Sequence, residues 1–305
     1  MKNNFNFRTL FNVLSVILTL VIFVFLFKKL SSEFSKINLK TLSFNVKYLI
    51  LSFFFVPLWF SLLSYAYKFI LSSMNEKISM IDSMRIIGLS TFGRYIPGKV
   101  WFTVGRTLLA ERIGISKRKA FSAVVIETVY LVLTGLLFFV FIFRYLNNYS
   151  LLYLIIFPLF YIFVSSIKPV FFVRLMNFVL KLFKKESIVM DMPVRDVFFL
   201  NLIYIFMWIG FGFQYFFLLK SIGICFDNIY TLAIYPVSWV LGFLVIFIPS
   251  GIGIREGVMV FFLSQVISSH QAIAVSVLSR IQMTLSEILF LLTLIKSDSL
   301  WRNKK

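Results

Sequence analysis

Residues 248–257 read Ile-Pro-Ser-Gly-Ile-Gly-Ile-Arg-Glu-Gly, and residues 93–99 read Gly-Arg-Tyr-Ile-Pro-Gly-Lys. Each lies inside an otherwise apolar stretch, about Tyr230 to Ser269 for the first and about Ser83 to Ala110 for the second. Pro and Gly break helices, and charges are costly in hydrocarbon. Non-helical backbone survives at membrane depth only where protein or a water-filled cavity surrounds it. Both stretches therefore read as helix–break–helix hairpins, not simple spans.

The sequence around them is that of a polytopic membrane protein. A spanning helix needs about 20 mostly apolar residues, and 10–27, 48–71, 120–143, 149–172, 198–220 and 271–295 supply them. The run 10–27 follows Lys2 and Arg8 and leads into Lys28 and Lys29 without a small-residue cleavage site, so it reads as a retained helix. The chain has 305 residues, 60% hydrophobic and only 14% charged. Soluble domains are about half apolar and a quarter charged. No polar stretch is long enough to fold alone, so 1–305 reads as one membrane domain.

A formal charge of +19 would suggest nucleic acid in a soluble chain. Here most charges sit in short loops between apolar runs, where they set topology and meet anionic head groups. Nucleic acid is excluded on that ground. With one cysteine, Cys225, and one histidine, His270, the chain can form no internal disulfide and no Cys/His metal site is expected. His270 reads as a loop residue and Cys225 as a packing residue near a helix end. No Walker loop, Rossmann glycine pattern, nucleophile elbow or zinc motif is present, so no cofactor and no metal is expected. Trp59, Trp101, Trp208 and Trp239 suit membrane interfaces, and Pro57 and Pro158 suit kinks.

The two broken stretches share a register. An offset of 152 pairs Ile96-Pro97 with Ile248-Pro249, Ile115-Ser116 with Ile267-Ser268, Ala120 with Ala272 and Lys68 with Lys220. Broken segments at matching positions in two halves point to a transporter binding site. The segment 106–119 carries Arg106, Arg112, Lys117, Arg118 and Lys119, whereas 258–271 carries no Lys or Arg. By the positive-inside rule the two lie on opposite sides, which makes the repeat inverted, with halves 1–147 and 148–305. Loop 173–197 and the C-terminal Lys296, Arg302, Lys304 and Lys305 belong on the inner side as well. The expected fold is all-α: a polytopic transmembrane bundle of six crossings and two re-entrant helical hairpins, with both termini inside. The basic loop 28–47 goes against that arrangement, and the hairpin arms leave eight crossings open.

The candidate site residues fall in the breaks and in three spans. After the Pro97-Gly98 break, a half-helix N-terminus would face an anion with its free N–H groups. Lys99 and Arg106, seven apart, share a face there, and Arg94 lies just before the break. The bland alternative has Arg94 and Lys99 snorkelling to head groups. In the second break, Pro249, Gly251 and Gly253 lead to Arg255 and Glu256; glycine turns feeding a helix start make anion nests, and Arg255 adds a donor fork. The alternative is a surface turn. Glu127, Arg280 and Glu287 sit inside apparent spans, where a charge costs about 2.5–3.5 kcal/mol or more unless paired or hydrated. They are either functional, with a carboxylate able to couple transport to protons, or a structural ion pair such as Glu127 with Arg280.

These motifs resemble the membrane region of lysylphosphatidylglycerol synthases. The resemblance rests on Gly-Arg-Tyr-Ile-Pro-Gly-Lys-Val-Trp (93–101), Gly105-Arg106, Glu127, the 248–257 motif, Ala272, Arg280 and Glu287. It implies a flippase-like protein of a bacterial inner membrane that moves an anionic phospholipid or a lipid-linked glycan between leaflets. Only ten residues follow Ile295, so the synthase domain is expected to be absent and aminoacyl transfer is not implied. The expected partners are an anionic lipid or glycolipid head group, the membrane and a lipid-modifying enzyme. Two other readings stay open: a membrane-embedded glycosyltransferase, for which the loops placed outside offer only Glu33 and Asp227, and a non-transporting partner that anchors a synthase through its basic loops.

Overall fold

A computed structural model of the chain describes residues 45–95, 101–147, 192–224, 229–245 and 248–295, with isolated residues between 156 and 187. The expected span 10–27, most of 149–172, Pro97-Gly98-Lys99, Pro158, Cys225 and 296–305 lie outside them. Among the described residues every regular element is helical. These are α1 (Val46–Ser73), α2 (Met80–Thr91), α3 (Trp101–Arg112), α4 (Lys117–Leu136), α5 (Phe139–Asn147), α6 (Val194–Ser221), α7 (Ile229–Leu244), α8 (Ile254–Leu263) and α9 (Ser269–Ile295), with 3₁₀ turns at Phe92–Tyr95 and Pro249–Gly251.

Four helical segments are long and apolar enough to cross a membrane: Val46–Ser73, Lys117–Phe143, Val194–Ser221 and Ser269–Leu294. They contain the expected spans 48–71, 120–143 and 198–220 whole, and 271–295 to within a residue. The order long helix, short helix, break, short helix, long helix occurs twice. The short arms have 12, 12, 16 and 10 residues. At 1.5 Å per residue each is shorter than the ~30 Å hydrocarbon layer.

Local chemistry explains where elements begin and end. Asn45 accepts from Lys47 N at 3.1 Å and starts α1. Ser79 accepts from Asp82 N at 3.0 Å and starts α2; each is a side-chain cap for an orphan N–H. Gly223 follows α6 at φ +81°, with Ile224 N donating back to Leu219 O at 3.1 Å, a left-handed C-terminal stop.

α1 and α6 form the most extensive helix pair. On α1, Val56, Phe60, Leu63, Tyr67 and Ile70 are buried, while Ile50, Phe54 and Leu58 are exposed. Both stripes follow helical spacing. The outer one is large and apolar, as a lipid-facing surface requires, because lipid tails impose no penalty on it. The inner stripe meets α6 through stacked pairs such as Trp59–Phe211, with ring centroids 5.0 Å apart.

Three tryptophans depart from the expected interface positions. Trp59, Trp208 and Trp239 are buried in the core, and only Trp101 is exposed. The Trp208 indole has donated its N–H to Leu131 O and Thr134 Oγ1, both at 3.1 Å, so it needs no aqueous partner. His270, expected in a loop, is an exposed residue of the first turn of α9.

Candidate functional site

The two breaks touch. The Phe92–Tyr95 turn packs on the Pro249–Gly251 turn, α2 packs on α3, and α7 packs on α8. α9 runs beside both hairpins, against α2 and α8. The two discontinuities thus meet inside the bundle, and charged side chains gather there.

Sharp backbone shapes the second break. Ser250, Gly251 and Gly253 have φ of +51°, +65° and +87°. Left-handed backbone is open to glycine and costs a non-glycine residue about 1–3 kcal/mol, so Ser250 is the strained member. Arg280 Nη2 donates to the Ser250 carbonyl at 3.0 Å and holds it from α9. A Cβ on Gly251 would come within 2.7 Å of Gly242 O, and one on Gly242 would run into the Arg255 stem. Gly242 on α7 therefore opens the passage that the Arg255 side chain fills.

Among the described residues, three ion pairs join the elements around the breaks. Arg106 on α3 pairs with Glu127 on α4. Arg94, in the first break, pairs with Glu287 on α9. Arg280 on α9 pairs with Glu256 on α8. The expected Glu127–Arg280 pair is not formed: α3 packs on α4 and brings Arg106 to Glu127, whereas α8 packs on α9 and brings Glu256 to Arg280. Arg280 and Glu287 do share a face, and both turn toward the breaks. Arg94 turns inward to Glu287 and does not snorkel outward. Arg106, counted above among loop charges, is buried within α3, which leaves Arg112, Lys117, Arg118 and Lys119 as the topology signal.

Arg255 is different. It is buried, its Nη2 makes no hydrogen bond, and among the described residues no carboxylate pairs with it. Its guanidinium lies 5.5 Å from the Tyr235 ring centroid and 5.7 Å from that of Trp239. Ring faces attract a cation but do not neutralise it. The cluster thus sets four guanidinium groups, those of Arg94, Arg106, Arg255 and Arg280, against the carboxylates of Glu127, Glu256 and Glu287.

Between the breaks lies a cavity of about 70 Å³. Arg94, Arg106, Arg255, Glu127 and Ser250 supply its polar lining, and Trp59, Phe102, Trp239 and Phe243 form apolar walls. This composition, mostly apolar with a few convergent polar groups, is that of a ligand site. Glu256, Arg280 and Glu287 stand behind it as supports. The glycine nest is partly filled from within, because Gly253 N donates to Glu256 Oε2.

Sequence reasoning missed Gly242 and the tryptophan walls, which carry no charge to draw the eye. It also missed Gln214 and Gln282, buried polar residues in spans and visible as such. Gln214 Nε2 donates to Gln282 Oε1, and Gln282 Nε2 to Ser52 Oγ.

A family described as Lysylphosphatidylglycerol synthase TM region matches residues 12–290, nearly the whole chain. The chain belongs to that family and is an integral membrane protein with a part in lipid handling. No curated protein matches it.

Proposed function

We propose that this chain translocates an anionic lipid, an anionic phospholipid or a lipid-linked glycan, across a bacterial cell membrane. The carrying observation is the guanidinium of Arg255, buried at a cavity between the two breaks with no carboxylate paired to it among the described residues. An uncompensated buried cation is expensive, and an anionic phosphate entering the cavity would compensate it. Arg is suited to that task by its planar donor fork.

The architecture favours a carrier over a fixed binding protein. Arms shorter than the bilayer suit re-entrant hairpins, and two copies of one helix order suit an inverted repeat of 1–147 and 148–305. In that scheme the head group occupies the cavity, and movement of one hairpin against the other opens it to one leaflet at a time. Arg94, Arg106, Lys99 and Arg255 serve the head group, while Glu256, Arg280 and Glu287 hold the breaks in shape. A lipid-modifying enzyme would supply the cargo.

The test is translocation of fluorescent anionic and zwitterionic phospholipids in liposomes holding the purified protein or its Arg255→Ala variant. We expect transport of the anionic lipid, reduced at least about tenfold in the variant, the effect of losing ~1.4 kcal/mol of binding. Equal transport by both proteins would sink the assignment of Arg255. No transport of any anionic lipid or lipid-linked glycan by folded protein would sink the carrier reading.

A further inference from the structure

Among the described residues, two of the three carboxylates in the cluster, those of Glu127 and Glu287, keep a buried oxygen without a hydrogen bond, and in Glu287 that oxygen is the one paired with Arg94. Glu256 meets Arg280 through Oε1 and Gly253 N through Oε2. Glu287 meets Arg94 through Oε1 and the Tyr95 hydroxyl through Oε2. Glu127 meets Arg106 through Oε1, but its Oε2 is buried and makes no hydrogen bond among the described residues. Glu127 is also the carboxylate that lines the cavity.

Three more buried oxygens near it share that condition: the hydroxyls of Tyr67 on α1, Tyr130 on α4 and Tyr204 on α6. Tyr130 follows Glu127 by three residues, so the two sit on one face of α4. The Tyr130 and Tyr204 rings stack at 6.4 Å. Arg106, the partner of Glu127, lies 5.5 Å from the Tyr67 ring centroid. A buried polar atom without a partner costs about 1–3 kcal/mol, and native proteins leave few of them. Four together, on three helices and around one carboxylate, mark a place built for a guest that bonds to oxygen. Hydroxyl groups both donate and accept, so with Glu127 they can pass a proton.

We propose that Glu127 binds a proton, served by the hydroxyls of Tyr67, Tyr130 and Tyr204, and that protonation hands Arg106 to the head group in the cavity. The inference rests on the reading of the cavity as an anion site. A proton from water adds to Oε2, an O–H bond forms there, and the charge that held Arg106 disappears. Arg106 keeps its own charge and faces the cavity, where a negative charge of the head group takes the place of Glu127. When the head group leaves, the Arg106–Glu127 pair re-forms and the proton departs to water. Proton and anion therefore move in the same direction. Among the described residues, the groups beside Glu127 are Arg106 from α3, Tyr67 from α1 and Tyr204 from α6, with Tyr130 one turn along its own helix. Arg94 and Arg255 line the cavity with it, and α7 contributes the uncharged Trp239.

The experiment measures binding of a short-chain phosphatidylglycerol, a monoanion throughout pH 5 to 8, to the full chain in nanodiscs of zwitterionic lipid. Native protein should bind more tightly as pH falls, by up to about tenfold per unit, the limit for one linked proton. Glu127→Gln, which resembles the protonated form, should bind tightly at every pH. An infrared titration of the same samples should show a carboxylic acid band on acidification that Glu127→Gln removes and Glu111→Gln, an exposed control on α3, keeps. Equal pH dependence in native protein and Glu127→Gln, or an acid band that survives in Glu127→Gln, would overturn the proposal. Bound lipid with no pH dependence would overturn it alone, whereas no binding at any pH would overturn the anion-site reading beneath it.

Discussion

The Tyr95 hydroxyl donates to Glu287 Oε2 at 3.0 Å, across 192 residues of chain. Arg94, next to Tyr95, pairs with the other oxygen of the same carboxylate. One side chain on α9 thus anchors the first break at two points. Glu287 is buried, so removing Arg94 leaves a carboxylate without its counter-ion, and such losses cost about 3–5 kcal/mol. Arg94→Ala and Glu287→Ala should each lower the unfolding temperature in detergent. The double variant should lose less than the sum, by about 0.5–3 kcal/mol, the range of coupling between contacting residues. Strict additivity would show that the pair does not hold the break.

Gly242 and Arg255 make a second test, because a methyl group on one collides with the stem of the other. Gly242→Ala should redirect the Arg255 side chain without touching its charge. Head-group binding should fall as far in Gly242→Ala as in Arg255→Ala, and the double variant should bind no worse than either. If Gly242→Ala binds normally while Arg255→Ala does not, the passage at Gly242 is irrelevant to the site.

The fold was legible because hydrocarbon reduces the sequence signal to length and polarity. Among the described residues the apolar runs 48–71, 120–143, 198–220 and 271–295 became helices, and the interruption that follows Pro249 became a break. The charged residues of the site were legible for the same reason, since each is conspicuous against Phe and Leu. Their pairing was not legible. Spacing put Arg280 and Glu287 on one face, but which carboxylate meets which guanidinium depends on helix packing between distant segments. Arg106 shows the limit well: it reads both as a loop charge and as a site cation sharing a face with Lys99, and only the approach of α3 to α4 gives it Glu127 as a partner. Trp239 and Gly242 were missed because their role lies in shape.

The glutamine network offers a contrast with the ion pairs. Gln282 on α9 reaches both Ser52 on α1 and Gln214 on α6, and so ties three long helices together. Hydrogen bonds between membrane helices average only about 0.6 kcal/mol and reach about 1.7. Gln282→Leu should therefore cost less than about 2 kcal/mol in a thermal or denaturant unfolding assay, and head-group binding should remain. A loss as large as that of Glu287→Ala would mean that the network carries more of the fold than its chemistry predicts.

Glycine contacts give the last prediction, and they separate close packing from mere helix propensity. Gly212 on α6 faces the backbone of α7: a Cβ there would collide with the carbonyl oxygen of Leu232 and lie 3.0 Å from its Cα. Backbone cannot rotate away as a side chain can, so Gly212→Ala must push the two helices apart. Small residues serve this purpose between membrane helices, where close approach takes the place of a hydrophobic driving force. Gly105 on α3 has nothing within 4 Å of its Cβ position. Overpacking costs about 1–3 kcal/mol, whereas Ala in place of a helical Gly with open space at its Cβ gains about 0.5–1 kcal/mol. Gly212→Ala should therefore unfold at a lower temperature than native protein, and Gly105→Ala at an equal or higher one. Because α7 leads directly into the second break, Gly212→Ala should also weaken head-group binding, which Gly105→Ala should not. The reverse order of stabilities would mean that α6 and α7 do not make this close contact.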